Sequence, residues 1–165
     1  MTLERKQQID EEKQISIDKT LNKSTIFLQD NINNLQIQDY IYSPNEAIEE
    51  LGLDAKLVDQ LVEDYVSQIL KSEALFLHHL EELQNTMKIS RGLNYTPLRE
   101  LAHKNLGVAR NLRIKDGIKV LEELMKKNDL DYLALCVEAL SACAVRLKPK
   151  CAHETITLIN IKNSL

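Results

Sequence analysis

The chain is predicted to be all-α: an antiparallel four-helix bundle with a short leading helix and a polar N-terminal segment. Three observations predict it. Gly and Pro number four and three in 165 residues, so little interrupts long runs. Leu, Ile, Glu, Lys and Ala dominate the middle of the chain, and most of these are strong helix formers. Apolar positions there recur at intervals of three and four, and no segment alternates strongly enough to argue a sheet. At 165 residues, 44% hydrophobic and 28% charged, the chain fits one globular domain with a core of ordinary size.

Residues 1–42 differ from the rest. They are rich in Gln, Asn, Asp and Lys, and their apolar positions (Ile9, Ile15, Ile17, Leu21, Ile26, Leu28) make no long clean stripe. They read as a polar leader, with a loose helix left open, that packs on the domain or tethers it. The bundle is expected over 43–148. "SPNEAIEELG" places Ser43 as N-cap, Pro44 at the first helical position and Gly52 at the end of a short helix. Asp54 then caps a long helix carried by Val58, Leu61, Val62, Tyr65, Ile69, Phe76, Leu80, Leu83 and Met87. It reaches about residue 88, roughly 50 Å at 1.5 Å per residue, where "SRGLN" breaks it. Thr96-Pro97 starts a third helix that ends near Arg113.

"IKDGIKVLEELMKKN" makes a fourth helix on Ile118, Val120, Leu121, Leu124 and Met125, with Gly117 near its start, where a glycine costs little. Asp129 starts a fifth on Leu130, Leu133, Cys136, Val137, Leu140, Val145 and Leu147, which Pro149 ends or kinks. Residues 149–165 stay open between a last helix and an extended tail, because β-branched residues crowd "HETITLINI".

Several function classes are disfavoured. A net charge of −4 with mixed signs and no basic stripe argues against nucleic acid. No apolar run nears the roughly 18 residues of a membrane span, and "MTLERKQQIDEEKQ" has no signal core. Cys136, Cys143 and Cys151 are odd in number and lack CxxC spacing, which fits reduced thiols in a cytoplasm. His78 and Glu82 at i, i+4 read as a solvated helix face. Glu100-x-x-His103 has no second such pair to build a di-metal bundle. "CAH" at 151–153 lacks further ligands. No glycine loop for a nucleotide is present. No metal site and no cofactor of its own are expected.

"LRELAHKNLGVARNLRI", 98–114, carries the functional signal. On a helical wheel Leu98, Leu101, Val108, Ala109 and Leu112 cluster on one side, and His103 points away from them toward solvent. Arg99, Gly107 and Arg110 share the face of His103, flanked by Lys104 and, on the other rim, Leu106. A mid-helix exposed glycine costs about 1 kcal/mol against alanine. Access for a partner's loop or backbone to the imidazole would offset that cost.

Ala102, His103, Gly107, Ala109 and Leu112 match in register the pattern A-H-x-L-K-G-x-A-x-x-L, and the stretch resembles the signature of histidine-containing phosphotransfer (Hpt) domains. "SPNEAIEELGLDAKLVDQLVEDYVSQ" and "GIKVLEELMKKNDLDYLALCVEAL" resemble the helices before and after that site, so the resemblance covers about residues 43–147. It implies a cytoplasmic phosphorelay intermediate in two-component signalling. His103 would accept a phosphoryl group from the aspartate of a response-regulator receiver domain, free-standing or part of a hybrid sensor kinase, and pass it on. Any Mg would come from the receiver, and Gly107 would leave room for the receiver's loop.

Lys104, Arg99 and Arg110 are candidates for phosphate contacts from the wheel rather than from the motif. The family's L-K is here Asn105-Leu106, which puts an amide toward the core and an apolar residue where the pattern has a cation. Two readings follow: an active carrier in which Lys104 replaces the missing lysine, or an Hpt-like adaptor that binds its partner without transfer. A monomer is expected over a dimer, with a bundle whose leader makes a dimer as a third reading.

Overall fold

The computed structural model describes residues 2–89 and 92–165. Among them are seven α-helices and no strand: α1 (Leu3–Asp30), α2 (Asn45–Leu51), α3 (Ala55–Lys88), α4 (Thr96–Leu112), α5 (Lys115–Lys126), α6 (Leu130–Leu147) and α7 (Pro149–Asn163), with one 3-10 turn at Asn33–Leu35. No helix among the described residues is long and apolar enough to cross a membrane. The break expected at "SRGLN" lies partly on residues 90–91, outside the described residues.

Side-chain caps set several boundaries where the sequence places them. The Asp54 carboxylate accepts from the Leu57 N–H at 2.8 Å, and Asp129 accepts from Asp131 and Tyr132 at 3.0 and 3.2 Å. Gly52 ends α2 in the left-handed region at φ 65°, a conformation glycine adopts without strain. One boundary moves. Ser43 is not the cap of α2: Pro44 takes that place, and no side chain bonds the first free N–H groups.

The helices meet in a cycle. α3 packs on α4 and α6, and α5 packs on the same two. The Asp59–Lys148 ion pair and the Ser141 to Glu73 hydrogen bond run α3 antiparallel to α6. The buried faces of Phe76, Leu98, Leu121, Leu124, Leu133 and Leu140 fill the middle. Met87, expected on the core stripe of α3, is instead exposed because it lies in the helix's last turn.

The two ends of the chain complete this core. α1 is one continuous 28-residue helix packed on α6 and α7, with Ile17 and Leu28 buried beneath it. α7 is helical despite its β-branched residues, and Pro149 starts it. It lies parallel to α3: Ser67 and Thr155 hydroxyls meet at 2.7 Å, and the Cys151 thiol donates to the Glu63 carbonyl at 3.6 Å.

The segment between α1 and α2 is pinned by polar contacts. The Tyr42 hydroxyl donates to the Leu112 carbonyl at 2.7 Å, and Tyr40 accepts from the Lys115 N–H at 3.1 Å. Arg146, on α6, donates to the carbonyls of Ile37 and Gln38 and pairs with the buried Asp116 at 3.2 Å.

Gly117 differs from its expected role. It is buried, and a Cβ there would lie 2.3 Å from the Tyr65 hydroxyl oxygen. The glycine is set by close approach of α3, not by its place near a helix start.

Cys136 and Cys143 are buried on α6, and Cys151 is half-buried. Burial pushes the Cys136 thiol up to about 12 and raises the other two. Thiolate is the reactive form. Alkylation by iodoacetamide near pH 8 is therefore expected to be slow on the native protein, with Cys151 first, and to reach all three on unfolding. Rapid native labelling of Cys136 or Cys143 would contradict this packing.

Candidate functional site

α4 presents two unlike faces. Leu98, Ala102, Asn105, Leu106, Ala109 and Leu112 are buried, while Glu100, His103, Lys104, Gly107, Val108 and Asn111 are exposed. His103 faces solvent, as the wheel predicts. Among the described residues its ring has no hydrogen-bond or ion-pair partner within the chain. Gly107, one turn on, is open: a Cβ built there meets nothing within 4 Å. The bundle itself does not require this glycine. Gly107→Ala is expected to raise stability by about 0.5–1 kcal/mol through helix propensity, read as a higher denaturation midpoint at unchanged slope.

The centre of the buried face corrects the wheel. Leu106, expected on the exposed rim of the site, is 3% exposed, and Val108, expected in the core, is 42% exposed. α4 is covered on two sides, by α3 and by α5. The α5 contact rotates the buried arc toward Ala102 and Leu106 and releases Val108. The site therefore has no greasy rim at 106. Its apolar neighbour is Val108, which edges a cleft of about 430 Å³ between α2, α3 and α4, lined also by Leu51, Leu53, Leu61 and Gln68. The sequence reading missed Val108 and Asn111. A wheel centred on Gly107 finds Asn111 but sets Val108 and Leu106 equally far to either side, so it cannot tell them apart.

Asn105 is 1% exposed, and its amide donates to the Leu101 carbonyl at 3.0 Å. The buried amide is thus partnered within its own helix, which removes most of the cost of burying it.

The cations divide. The Arg99 guanidinium donates to the Leu124 carbonyl at 2.5 Å and to the Lys127 carbonyl and Asn128 Oδ1 at 2.8 Å, and it stacks 4.6 Å above the Tyr95 ring. It closes the C-terminus of α5, where free carbonyls and the helix dipole favour a cation. This corrects the expectation that Arg99 waits for phosphate. Arg110 is half-exposed and meets Glu122 at 3.5 Å. Lys104 has no ion-pair partner among the described residues and stands next to His103.

No protein-family model, curated protein or solved structure matches the chain.

The reading of the site rests on its residues and geometry. Those residues can do a limited chemistry. An unpartnered imidazole is a nucleophile when neutral, because one ring nitrogen keeps a free lone pair. Among the described residues no base or carboxylate bonds to it, as a hydrolytic site would need. His78 meets Glu82 at 3.4 Å on an exposed face, and no cluster of His, Cys, Asp or Glu among the described residues could hold a metal.

Proposed function

We propose that the chain is a phosphoryl carrier of the Hpt type, an antiparallel four-helix bundle of α3–α6 with α2 leading it, in which His103 takes a phosphoryl group from a receiver-domain aspartate. The exposed, unpartnered His103 beside the open Gly107 carries this reading. In the transfer a ring nitrogen of His103 attacks phosphorus. The N–P bond forms, the aspartyl O–P bond breaks, and its electron pair returns to the aspartate carboxylate. The work asked of the chain is positioning and charge balance, because phosphoryl transfer needs little covalent help from the protein. Lys104, the next residue along α4 and without an ion-pair partner among the described residues, supplies positive charge. Gly107 lets the partner's backbone come close, and Val108 gives it an apolar edge to dock on.

One observation favours a second reading, an adaptor that binds a receiver without transfer. Arg99 and Arg110 are engaged with α5, so Lys104 stands nearly alone in balancing a phosphate. Weak charge balance slows transfer without weakening docking.

The test incubates the protein with receivers of its source organism charged by acetyl phosphate. Acid-labile phosphate is expected on the native chain and only background on His103→Gln. Gly107→Ala, although more stable, is expected to accept phosphate more slowly. Absence of label from every receiver, with His103 still open to diethyl pyrocarbonate, would overturn the carrier reading. Receiver binding that survives His103→Ala would then support the adaptor.

A further inference from the structure

An exposed flank of α1 carries a charge pattern that makes no ion pair within the described residues. Positions 5, 9, 12, 16, 19, 23, 26 and 30 are spaced alternately by four and three residues, the spacing of a coiled-coil seam. All eight are exposed, on a flank of α1 away from the buried Ile17 and Leu28; Lys23, Ile26 and Asp30 also edge the cleft that α1 shares with α3, α6 and α7. Ile9 and Ile26 on this stripe are 45% and 52% exposed. Among the described residues, Arg5, Glu12, Lys23 and Asp30 make no ion pair within the chain.

The order of residues along the stripe is complementary to its own reverse. About the midpoint between Ile17 and Asp18, Arg5 mirrors Asp30, Ile9 mirrors Ile26, Glu12 mirrors Lys23 and Ser16 mirrors Lys19. An antiparallel pair of such helices sets each residue against its mirror position in the other. Every charged layer but the central Ser16–Lys19 one then pairs opposite signs, and the isoleucines meet each other. A parallel pair would set Arg5, Glu12, Lys23 and Asp30 each against its own copy, which repels.

We infer that two copies of this chain associate through α1, antiparallel and two-fold symmetric. Opposed Arg5–Asp30 and Glu12–Lys23 pairs set the register, and Ile9 against Ile26 supplies the apolar contact. A two-fold interface is self-complementary by construction, as this stripe is. Its charged character makes the dimer weak and salt-sensitive. α1 packs on α6 and α7, whereas the His103 helix packs on α2, α3 and α5, so association leaves the face of His103 free. The inference does not depend on the phosphorelay reading.

The experiment is sedimentation equilibrium on the full chain, with circular dichroism to show that each variant is folded. At low salt the apparent mass is expected to rise from one chain toward two as concentration passes through the micromolar range, and to fall back at 0.5 M salt. Glu12→Lys alone and Lys23→Glu alone should each be monomeric, because each sets like charges opposite one another. An equal mixture of the two variants should restore the dimer, because every 12–23 layer then pairs opposite signs. The double variant Glu12→Lys/Lys23→Glu should dimerise like the native chain. A chain that stays monomeric at low salt would overturn the inference. So would a dimer that survives both single substitutions, or one that mixing fails to restore.

Discussion

Arg146→Met is expected to destabilise the protein by about 3 kcal/mol at neutral pH, the cost of leaving one half of a buried ion pair. Arg146 is 16% exposed and Asp116 4%, so water replaces little of what is lost. The methionine keeps most of the apolar stem and removes the charge and its donors. Asp116 would retain the Gly117 N–H at 2.7 Å and the Cys143 thiol, and the carbonyls of Ile37 and Gln38 would lose their partner. Burial already raises the Asp116 carboxyl above the usual carboxylate range, against the opposing pull of the Gly117 N–H and Arg146.

Without the guanidinium it rises further, and the sign of the pH dependence follows. The native state then holds its proton more tightly than the unfolded chain does. The stability this confers is fully present below the unfolded carboxyl pKa and is lost as pH rises through the raised native one. The deficit of Arg146→Met against the native protein should therefore be smaller in acid, where only the lost carbonyl contacts remain, and grow toward neutrality. Urea denaturation of both proteins across that range measures it. A deficit independent of pH would mean that Asp116 is not the group left uncompensated.

Gly117→Ala is expected to change sign with its neighbour. In the native chain the new Cβ would lie 2.3 Å from the Tyr65 oxygen. Tyr65 is 3% exposed, so the ring has little room to retreat. Overpacking of this kind costs about 1–3 kcal/mol, and the gain in helix propensity offsets up to about 1 kcal/mol of it. The net effect is a loss. In Tyr65→Phe the oxygen is gone, and the next atoms, Ile114 Cγ2 and the ring carbon that bore the hydroxyl, stand at 3.5 Å, an ordinary contact. There Gly117→Ala should be neutral or stabilising. A double-mutant cycle reads the difference directly. Equal effects in both backgrounds would show that the hydroxyl does not dictate the glycine.

These two positions also mark what sequence reasoning reaches. Asp54, Asp129 and Gly52 act within a few residues of themselves, so their caps are legible locally. His103 is exposed for a similar reason: its face is set by the period of α4. Asn105 is buried by the same period. Leu106 and Val108 exchange their expected places because a wheel knows one helix and not the two that flank it. Arg99 reads as a free cation until the C-terminus of α5 is placed beside it. Gly117 reads as harmless until α3 brings Tyr65 across the bundle.

α1 shows both limits at once. Its inward contacts, Ile17 and Leu28, are too few to announce a 28-residue helix, and only the neighbouring faces of α6 and α7 give them something to pack on. Its charged stripe was present in the letters throughout, yet it has meaning only once the structure shows which flank of the helix is exposed.

The sequence by itself determined that the chain is helical, where most helices start and stop, and that His103 points outward, because propensity, capping and periodicity act within one segment. The tertiary structure decided which cations are spent, where the apolar edge of the site lies, why Gly117 is glycine and how the chain's first and last helices join the core. Those are contacts between residues far apart in the chain, as far as Lys13 and Glu154, and they depend on how helices pack rather than on any one helix's pattern.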